Sequence, residues 1–595
     1  MKIKLNRWLT AVCAVLFFGS AVGQQQAKPS PYQKGAKQLA AQLKEYVDRE
    51  MVLGAELMVM HKGKVVVHDG YGMMNKEDGV AMAPGSIFNI RSMTKPLTGA
   101  AAQILVDEGK LKLDDPVSKY IPSFAENGKD ELLVKHLLQH RSGLPLTMFQ
   151  AAVDEFESIT AIADAAASAE LRFEPGSQFY YSDAGSDVLG AVVSAASGQP
   201  LNEFVEQRLL KPLQMKSSFY DPKEDEQLVA RMASLYVGYA GLWMQNWKPD
   251  GNSMYPFAWG SQSLYSSTLD YANFLRMWMN GGTFNDQRIL SKAAVARTLK
   301  PKSEMLALGS DKRMPTGFPG LSTWYGQMSV LYLDEEDNVE IIGHSGSDGT
   351  LAYAWPDRDL IVCMFTQSRG QSIVFRFEAD LNRFLLDPAS NKPAPKQLQP
   401  LLGIYVPESG PMVGRKIEVL MYNNNLAVDV PGQMLFELSE ANEEGWRHML
   451  FEPRAKLKFE QKEGAQATAL LFLAPGATEA ERVPRYVAGK EEEVAALDAK
   501  FHRYFGVYWD EEGQAEVRFH EHEGKLAVTH PQVPMPLTFR GPDEDGFWTM
   551  ELNPQVRIRF EENDMGEVDR YDVHVAGQVV PRKRLRDLED TKTND

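Results

Sequence analysis

The back of this chain repeats itself. "LLGIYV" beginning at Leu401 is answered by "YFGVYW" at Tyr504, "NNLAVDVP" by "GKLAVTHP", "FEPRAKLKFE" by "LNPQVRIRFE" and "RVPRY" by "VVPRK". Partners stay about a hundred residues apart, the mark of a duplicated unit. In both copies short alternating stretches, such as "KIEVLMY" and "AEVRFHE", are broken by Gly, Asn, Asp and Pro turns, which predicts small antiparallel barrels or sandwiches. No serine follows Ser439, so the second copy cannot supply a serine nucleophile. A chain of 595 residues is too long for one core, and its chemistry is expected in front of the repeats.

Two composition breaks set the expected division. "DPASNKPAPKQ", Asp387 to Gln397, reads as a linker, and "VAGKEEEVAALDAK", Val487 to Lys500, as a charged helical spacer. The expected units are a signal peptide over 1–23, a front domain over 24–386, a linker over 387–397, and barrel repeats over 398–487 and 500–585.

The first residues read as an export signal. Lys2, Lys4 and Arg7 form a positive start, Trp8 to Phe18 an apolar run, and Ala21-Val22-Gly23 a small-residue cleavage site. The run falls short of the roughly 20 residues a membrane span needs, so no transmembrane segment is expected after cleavage. Cys13 is preceded by the bulky Val12, which disfavours a lipoprotein signal. The protein is expected in the periplasm or outside the cell. Cys363 is then the one remaining cysteine, and in "LIVCMFTQ" it reads as a packed thiol on a buried strand. A net charge of -17 with no long basic run argues against a nucleic-acid partner. No Gly-rich phosphate loop is present, and no cofactor or metal is expected.

The front part mixes strand and helix. "AELMVMHKGKVVVHDGYG" predicts a hairpin turning at Lys62-Gly63, and "TLAYAWPDRDLIVCMFTQ" another turning at Pro356-Asp357. Between them "GAAAQILVDEG", "DAGSDVLGAVVSAASG" and "LDYANFLRMWMNGG" carry helical patterns with Gly at their ends. Strands at both ends with helices between imply an α+β fold whose first and last strands share one antiparallel sheet.

"RSMTKPLTG", Arg91 to Gly99, sets Ser92 three residues before Lys95, with Pro96 where only a first helical turn tolerates it. Residues at i and i+3 share a helix face, so Lys95 lies beside Ser92. Desolvated near the positive end of a helix, such a lysine should lose its proton more readily and activate the serine. The alternative is a capping serine beside a solvated lysine.

Two further stretches bear on that choice: Tyr181-Ser182-Asp183 ahead of a helix, and His344-Ser345-Gly346 in "IIGHSGSDG". The order S-x-x-K, Y-S-x, H-x-G resembles the serine β-lactamase and penicillin-binding-protein superfamily, in its class C branch of D-aminopeptidases, D,D-carboxypeptidases and β-lactamase-like esterases. "LLQHRSGLP", "KPLQMKSS", "SLYSSTLDYANFL" and "NGGTFNDQRILS" extend the likeness over roughly residues 35 to 385. It implies a β-lactamase/transpeptidase-like sheet flanked by helices, with lipocalin-like repeats behind. It also implies that Ser92 is acylated, Lys95 takes its proton, and Tyr181 acts as partner base and as acid to the leaving group. The amides of Ser92 and Ser347 form the oxyanion hole, and His344, at the lysine position of K-T-G, binds substrate and tunes the tyrosine. Gly346 completes that motif.

Asp183 departs from the family's asparagine. A carboxylate only accepts hydrogen bonds, and its charge near Lys95 raises the lysine's pKa. Either it favours substrates with a free ammonium group or it is a tolerated variation with slower turnover. His136 and His140, four apart, lack the third ligand of a metal site, and His520 and His522 read as a solvated strand end. The expected function is an exported serine hydrolase cleaving a D-amino-acid peptide, cell-wall fragment or small ester through an acyl-serine. The alternative is a penicillin-binding receptor acylated without turnover. The repeats either shape the cleft, dock cell-wall material or serve as a passive appendage.

Overall fold

The computed structural model describes residues 30–586, apart from 149–154, 223–224, 240–241, 251–252, 307–311, 371–372, 409–413, 432–434, 463, 488–495, 511–514, 523, 531–532, 552–554 and 576–577. The expected export signal and most of the expected charged spacer lie outside the described residues.

The hydrophobic runs at the two ends of the front part meet. Strand β1 (Gly54–His61) forms a hairpin with β2 (Lys64–Asn75), and Lys62 and Gly63 both take the positive φ that a tight two-residue turn requires. Short β3 (Val80–Ala81) follows on the outer edge. From the other end come β4 (Ser303–Glu304), β5 (Ser322–Tyr325), β6 (Val330–Leu333), β7 (Val339–Ser345), β8 (Leu351–Trp355) and β9 (Leu360–Thr366). The nine strands form one antiparallel sheet in the order β4-β5-β6-β7-β8-β9-β1-β2-β3, with Met58 of β1 opposite Cys363 of β9. The α+β sheet closed by its first and last strands is therefore as expected.

Helices cover both faces, which explains why β8 and β9 are buried along their whole length. Alternate residues sort between the two sides. Leu57 and Val59 pack towards α1 (Gln33–Asp48), while Met58 and Met60 share the opposite core with α2 (Lys95–Asp107), α3 (Asp183–Ser197) and α4 (Thr268–Met279). Helix α5 (Ile373–Leu381) joins α1. Cys363 is fully buried, a packed thiol.

The two repeats share an eight-strand order but close differently. In the second, the strands from Gly506–Asp510 to Gln578–Arg586 form a closed barrel filled by Tyr508, Phe519, Phe539, Trp548 and Tyr571. In the first, two four-stranded sheets are joined, among the described residues, by the single bridges Tyr405–Arg485 and Leu438–Met449. The duplication is visible in detail. Tyr405 donates to the Leu401 carbonyl at 2.8 Å and Tyr508 to that of Tyr504 at 2.9 Å. Arg485 and Arg584 lie over these two rings and donate to the carbonyls of Leu402 and Phe505. Arg584 is thus the counterpart of Arg485, although the matched "VVPRK" pointed to Arg582.

The first repeat is held to the front part by charge. Arg376 of α5 is buried and bonds Asp429 and, at 2.6 Å, Glu418, which also receives Arg49 at 2.6 Å. Removing one member of a buried pair typically costs about 3–5 kcal/mol, because the other charge is stranded. Arg376→Ala should therefore lower the first thermal unfolding transition by at least about 5 °C in calorimetry. An unchanged transition would mean that this contact does not hold the two parts together.

Candidate active site

Ser92 lies in a 3₁₀ turn, Arg91–Thr94, that runs into α2 at Lys95, with Pro96 inside the first turn. The residue before it, Arg91, has φ 48°, a conformation side chains rarely adopt. What fixes it is buried charge. Arg91 Nε meets Asp348 Oδ2 at 2.6 Å, and Nη1 donates to the Tyr255 hydroxyl. The other Asp348 oxygen takes Arg369 Nε at 2.8 Å, and Arg369 Nη2 donates to Ser347 Oγ at 2.7 Å. One carboxylate thus ties the nucleophile's turn to the H-x-G loop.

That loop passes tightly beside the turn. A Cβ on Gly346 would lie 2.5 Å from the Ile90 carbonyl oxygen and 2.4 Å from Thr350 Oγ1, so only glycine fits. Ser347 follows with an exposed side chain, and its amide, like that of Ser92, makes no hydrogen bond among the described residues. Both N–H groups are left for an outside acceptor.

Lys95 is completely buried, and its Nζ has three oxygen partners: Ser92 Oγ at 3.1 Å, the Ser261 carbonyl at 3.1 Å and Asp183 Oδ1 at 2.6 Å. Two of these are hydrogen bonds, and the third is the ion pair with Asp183. The Ser261 carbonyl can come this close because Gly260 lies against α3, where a Cβ would be 2.1 Å from the Ser186 carbonyl oxygen. Burial works against the charge, but Asp183 and then Tyr181 outweigh it and raise the lysine's pKa above the ordinary value. The expectation of an easily deprotonated lysine is therefore overturned by the residue at the asparagine position. At rest Lys95 donates to Ser92 and does not accept from it.

Tyr181 precedes Ser182, whose hydroxyl caps α3 by accepting from Gly185 N at 2.8 Å. Ser92 and Lys95 both act on its phenol, and the ammonium lies 4.9 Å from its ring centroid. Burial holds the phenol above its usual pKa against the pull of Lys95. One turn further, Asp187 is buried, accepts from Ser261 N at 2.9 Å, and is pushed up to about 7 by burial and by the charge of Asp183.

His344 is the penultimate residue of β7, buried, with its ring centroid 6.4 Å from that of Tyr181. Burial, with Lys95 nearby, lowers it to about 3. The sequence-chosen residues Ser92, Lys95, Tyr181, Asp183, His344, Gly346 and Ser347 thus belong to one cluster, joined by the contacts above. The reading missed Arg91, Asp348, Arg369, Ser261, Asp187 and Tyr325. Arg91 and Asp348 each adjoin a chosen residue, yet no local pattern pairs positions 257 residues apart. His140, considered only for metal, has Nδ1 bonded by Ser182 N at 3.2 Å and Nε2 in contact with Tyr325 Oη at 3.1 Å. His520 is likewise engaged, by Glu521 O and Thr529 Oγ1. Among the described residues no group of three or more His, Cys, Asp and Glu is placed to hold a metal ion, and no helix is long and apolar enough to cross a membrane.

A serine oxygen beside a lysine and a phenol, with two amides that make no hydrogen bond among the described residues, is an arrangement suited to a serine nucleophile. The family model described as Beta-lactamase matches residues 39–384, more than half of the chain, and the chain belongs to that family. It is similar to Protein flp of Staphylococcus aureus (strain MW2), 30% identical over 236 residues, covering 38% of this chain and 45% of flp. It is also similar to Esterase EstB of Burkholderia gladioli, 32% identical over 221 residues, 33% of this chain and 56% of EstB. The chain thus spans about half the length of these two relatives. The octameric penicillin-binding protein homologue from Pyrococcus abyssi shares the fold, with a TM-score of 0.51 at 21% identity over 84% of this chain and 98% of that one.

The ion pair has a measurable signature. Asp183→Asn removes the main group that raises Lys95, so the neutral amine becomes available at lower pH. The rising limb of kcat/KM against pH should move down by at least about one unit. A limb that stays where it is would mean that Lys95 does not set it.

Proposed function

We propose that the chain is an exported serine hydrolase that cleaves an amide or ester through an acyl-serine. The observation that carries this reading is Lys95 Nζ 3.1 Å from Ser92 Oγ, with the ring centroid of Tyr181 4.9 Å from the same ammonium. Neutral Lys95 receives the serine proton as Oγ attacks the carbonyl, and Tyr181 passes a proton to the leaving group. The Ser92 and Ser347 amides hold the developing oxyanion, each such donor being worth about 3–4 kcal/mol in the transition state. Water then attacks the acyl-serine and the same groups run in reverse. Because Asp183 keeps Lys95 protonated at rest, acylation gains speed as pH rises.

The substrate is a D-amino-acid peptide, a cell-wall fragment or a small ester, and the compartment the periplasm or exterior. Likeness to an esterase supports the ester arm. Asp183 is 21% exposed, so a substrate ammonium can compete with Lys95 for its carboxylate, and the peptide arm rests on that competition. Comparing amine-bearing and acid-bearing substrates in Asp183→Asn decides it: unchanged selectivity removes that role. The buried ion pair also favours a second reading, a receptor that is acylated and does not turn over.

A nitrophenyl ester, a D-aminoacyl amide and nitrocefin separate the readings. The enzyme gives repeated turnover that Ser92→Ala lowers by roughly 10⁴- to 10⁶-fold. A single stoichiometric adduct in intact mass, without turnover, is the receptor. No adduct and no turnover on any probe would overturn both.

A further inference from the structure

The imidazole of His344 and the phenol of Tyr181 rest on a layer of groups that no sequence motif indicated. Ser182 N–H donates to His140 Nδ1 at 3.2 Å, His140 Nε2 meets Tyr325 Oη at 3.1 Å, Tyr325 Oη meets His344 Nε2 at 3.2 Å, and His344 Nδ1 meets the Ser345 carbonyl at 2.7 Å. His140, Tyr325 and His344 are all buried. The two ends of this chain are fixed, since a backbone N–H only donates and a carbonyl only accepts. His140 Nδ1 must therefore be bare, and its proton sits on Nε2, pointing at Tyr325. His344 Nδ1 must carry a proton. A neutral His344 then has a bare Nε2 that receives the Tyr325 O–H, and every donor has one acceptor. A charged His344 would aim a second N–H at the same phenol oxygen and turn the Tyr325 hydroxyl proton away from it.

We infer that Tyr325 and His140 are positioning residues, which hold His344 as the neutral Nδ1–H tautomer and brace the ring of Tyr181 against Ser92 and Lys95. This deepens the hydrolase reading and rests on it for its kinetic part. The Tyr181 ring lies tilted on His140 with centroids 4.5 Å apart and meets Tyr325 edge-on at 6.2 Å. His140 itself takes φ 52°, a backbone state that its bonded ring helps to retain. The charged and titratable groups around His344 are Lys95 of α2, Tyr181 and Asp183 at the start of α3, Tyr325 of β5 and His140 beyond them. Lys95 is the cation among them, and Asp183 is already bonded to it, so no carboxylate is left to favour a second positive charge. His344 thus offers substrate neither a charge nor a free N–H. Its place in the reaction is to tune its neighbours, and the role of binding substrate falls to other groups.

The tautomers are read directly by ¹⁵N-histidine NMR of the full chain, with His344 and His140 assigned by loss of their signals in His344→Gln and His140→Gln. The expected result is Nδ1–H for His344 and Nε2–H for His140, both neutral down to pH 5. A charged His344 at pH 6, or the opposite tautomer on either ring, overturns the inference whether or not the protein has activity. Tyr325→Phe removes the donor that favours the neutral ring, so the His344 midpoint should rise by at least about one unit. With a nitrophenyl ester kcat should fall by about 10²-fold at nearly constant KM, the loss expected when a reacting group is misplaced. Tyr332→Phe, which breaks a comparable buried bond to Glu378, controls for general loosening. A Tyr325→Phe enzyme with wild-type kcat and pH profile overturns the positioning role. A wild type without turnover or acylation defeats the hydrolase reading instead and leaves the tautomer result to stand on its own.

Discussion

One buried ammonium organises this site. Taking a lysine out of water costs several kcal/mol unless its hydrogens are met, and Lys95 is met by three oxygens from three separate parts of the chain. Each delivery has its own device. The 3₁₀ turn brings Ser92, the capped start of α3 brings Asp183, and the glycine at 260 lets the Ser261 carbonyl approach. The sheet carries His344 on β7 and Tyr325 on β5, and it sets the spacing among these pieces, because α2 and α3 pack on the same face of it.

A second charged contact does for the Ser347 loop what Lys95 does for Ser92. Asp348 accepts from Arg91 and Arg369, and Arg369 in turn holds Ser347. Arg91 sits in a strained backbone state of the kind that persists only where surroundings over-determine it, at about 1–3 kcal/mol. The strain is offset by a bidentate use of one buried carboxylate. It holds the amides of Ser92 and Ser347 in adjacent segments with no ladder of hydrogen bonds between them.

Period and punctuation made most of the fold legible. Alternation gave β1, β2, β8 and β9 and their turns, Gly and Ser marked the ends of α2, α3 and α4, and the duplicated tail announced two all-β units. The chosen site residues were legible because three short motifs kept their order. What local pattern could not carry was protonation and long-range pairing. Burial and the helix dipole argued for a readily deprotonated Lys95 and the charge of Asp183 argued against it, and only the 2.6 Å contact decides between them, for Asp183. The partnership of His140 with Tyr325, 185 residues apart, has no period to betray it. Nor does sequence similarity between the repeats indicate that one closes by full strand pairing and the other by single bridges.

The exchange of an amide for a carboxylate at position 183 and the state of His344 are two sides of one balance. An amide beside Lys95 would leave the cluster with a net positive charge and favour a neutral amine. The carboxylate cancels that charge, so Lys95 stays protonated and Asp183 is spent on it. Arg91 and Asp348 likewise cancel. A cationic His344 would then be the one buried charge in the cluster without a counter-ion, which the low-dielectric interior penalises most. Neutrality of the imidazole, enforced through Tyr325, lets the site keep a charged lysine in its centre, and on the proposed acyl-serine route that charge would slow acylation near neutral pH.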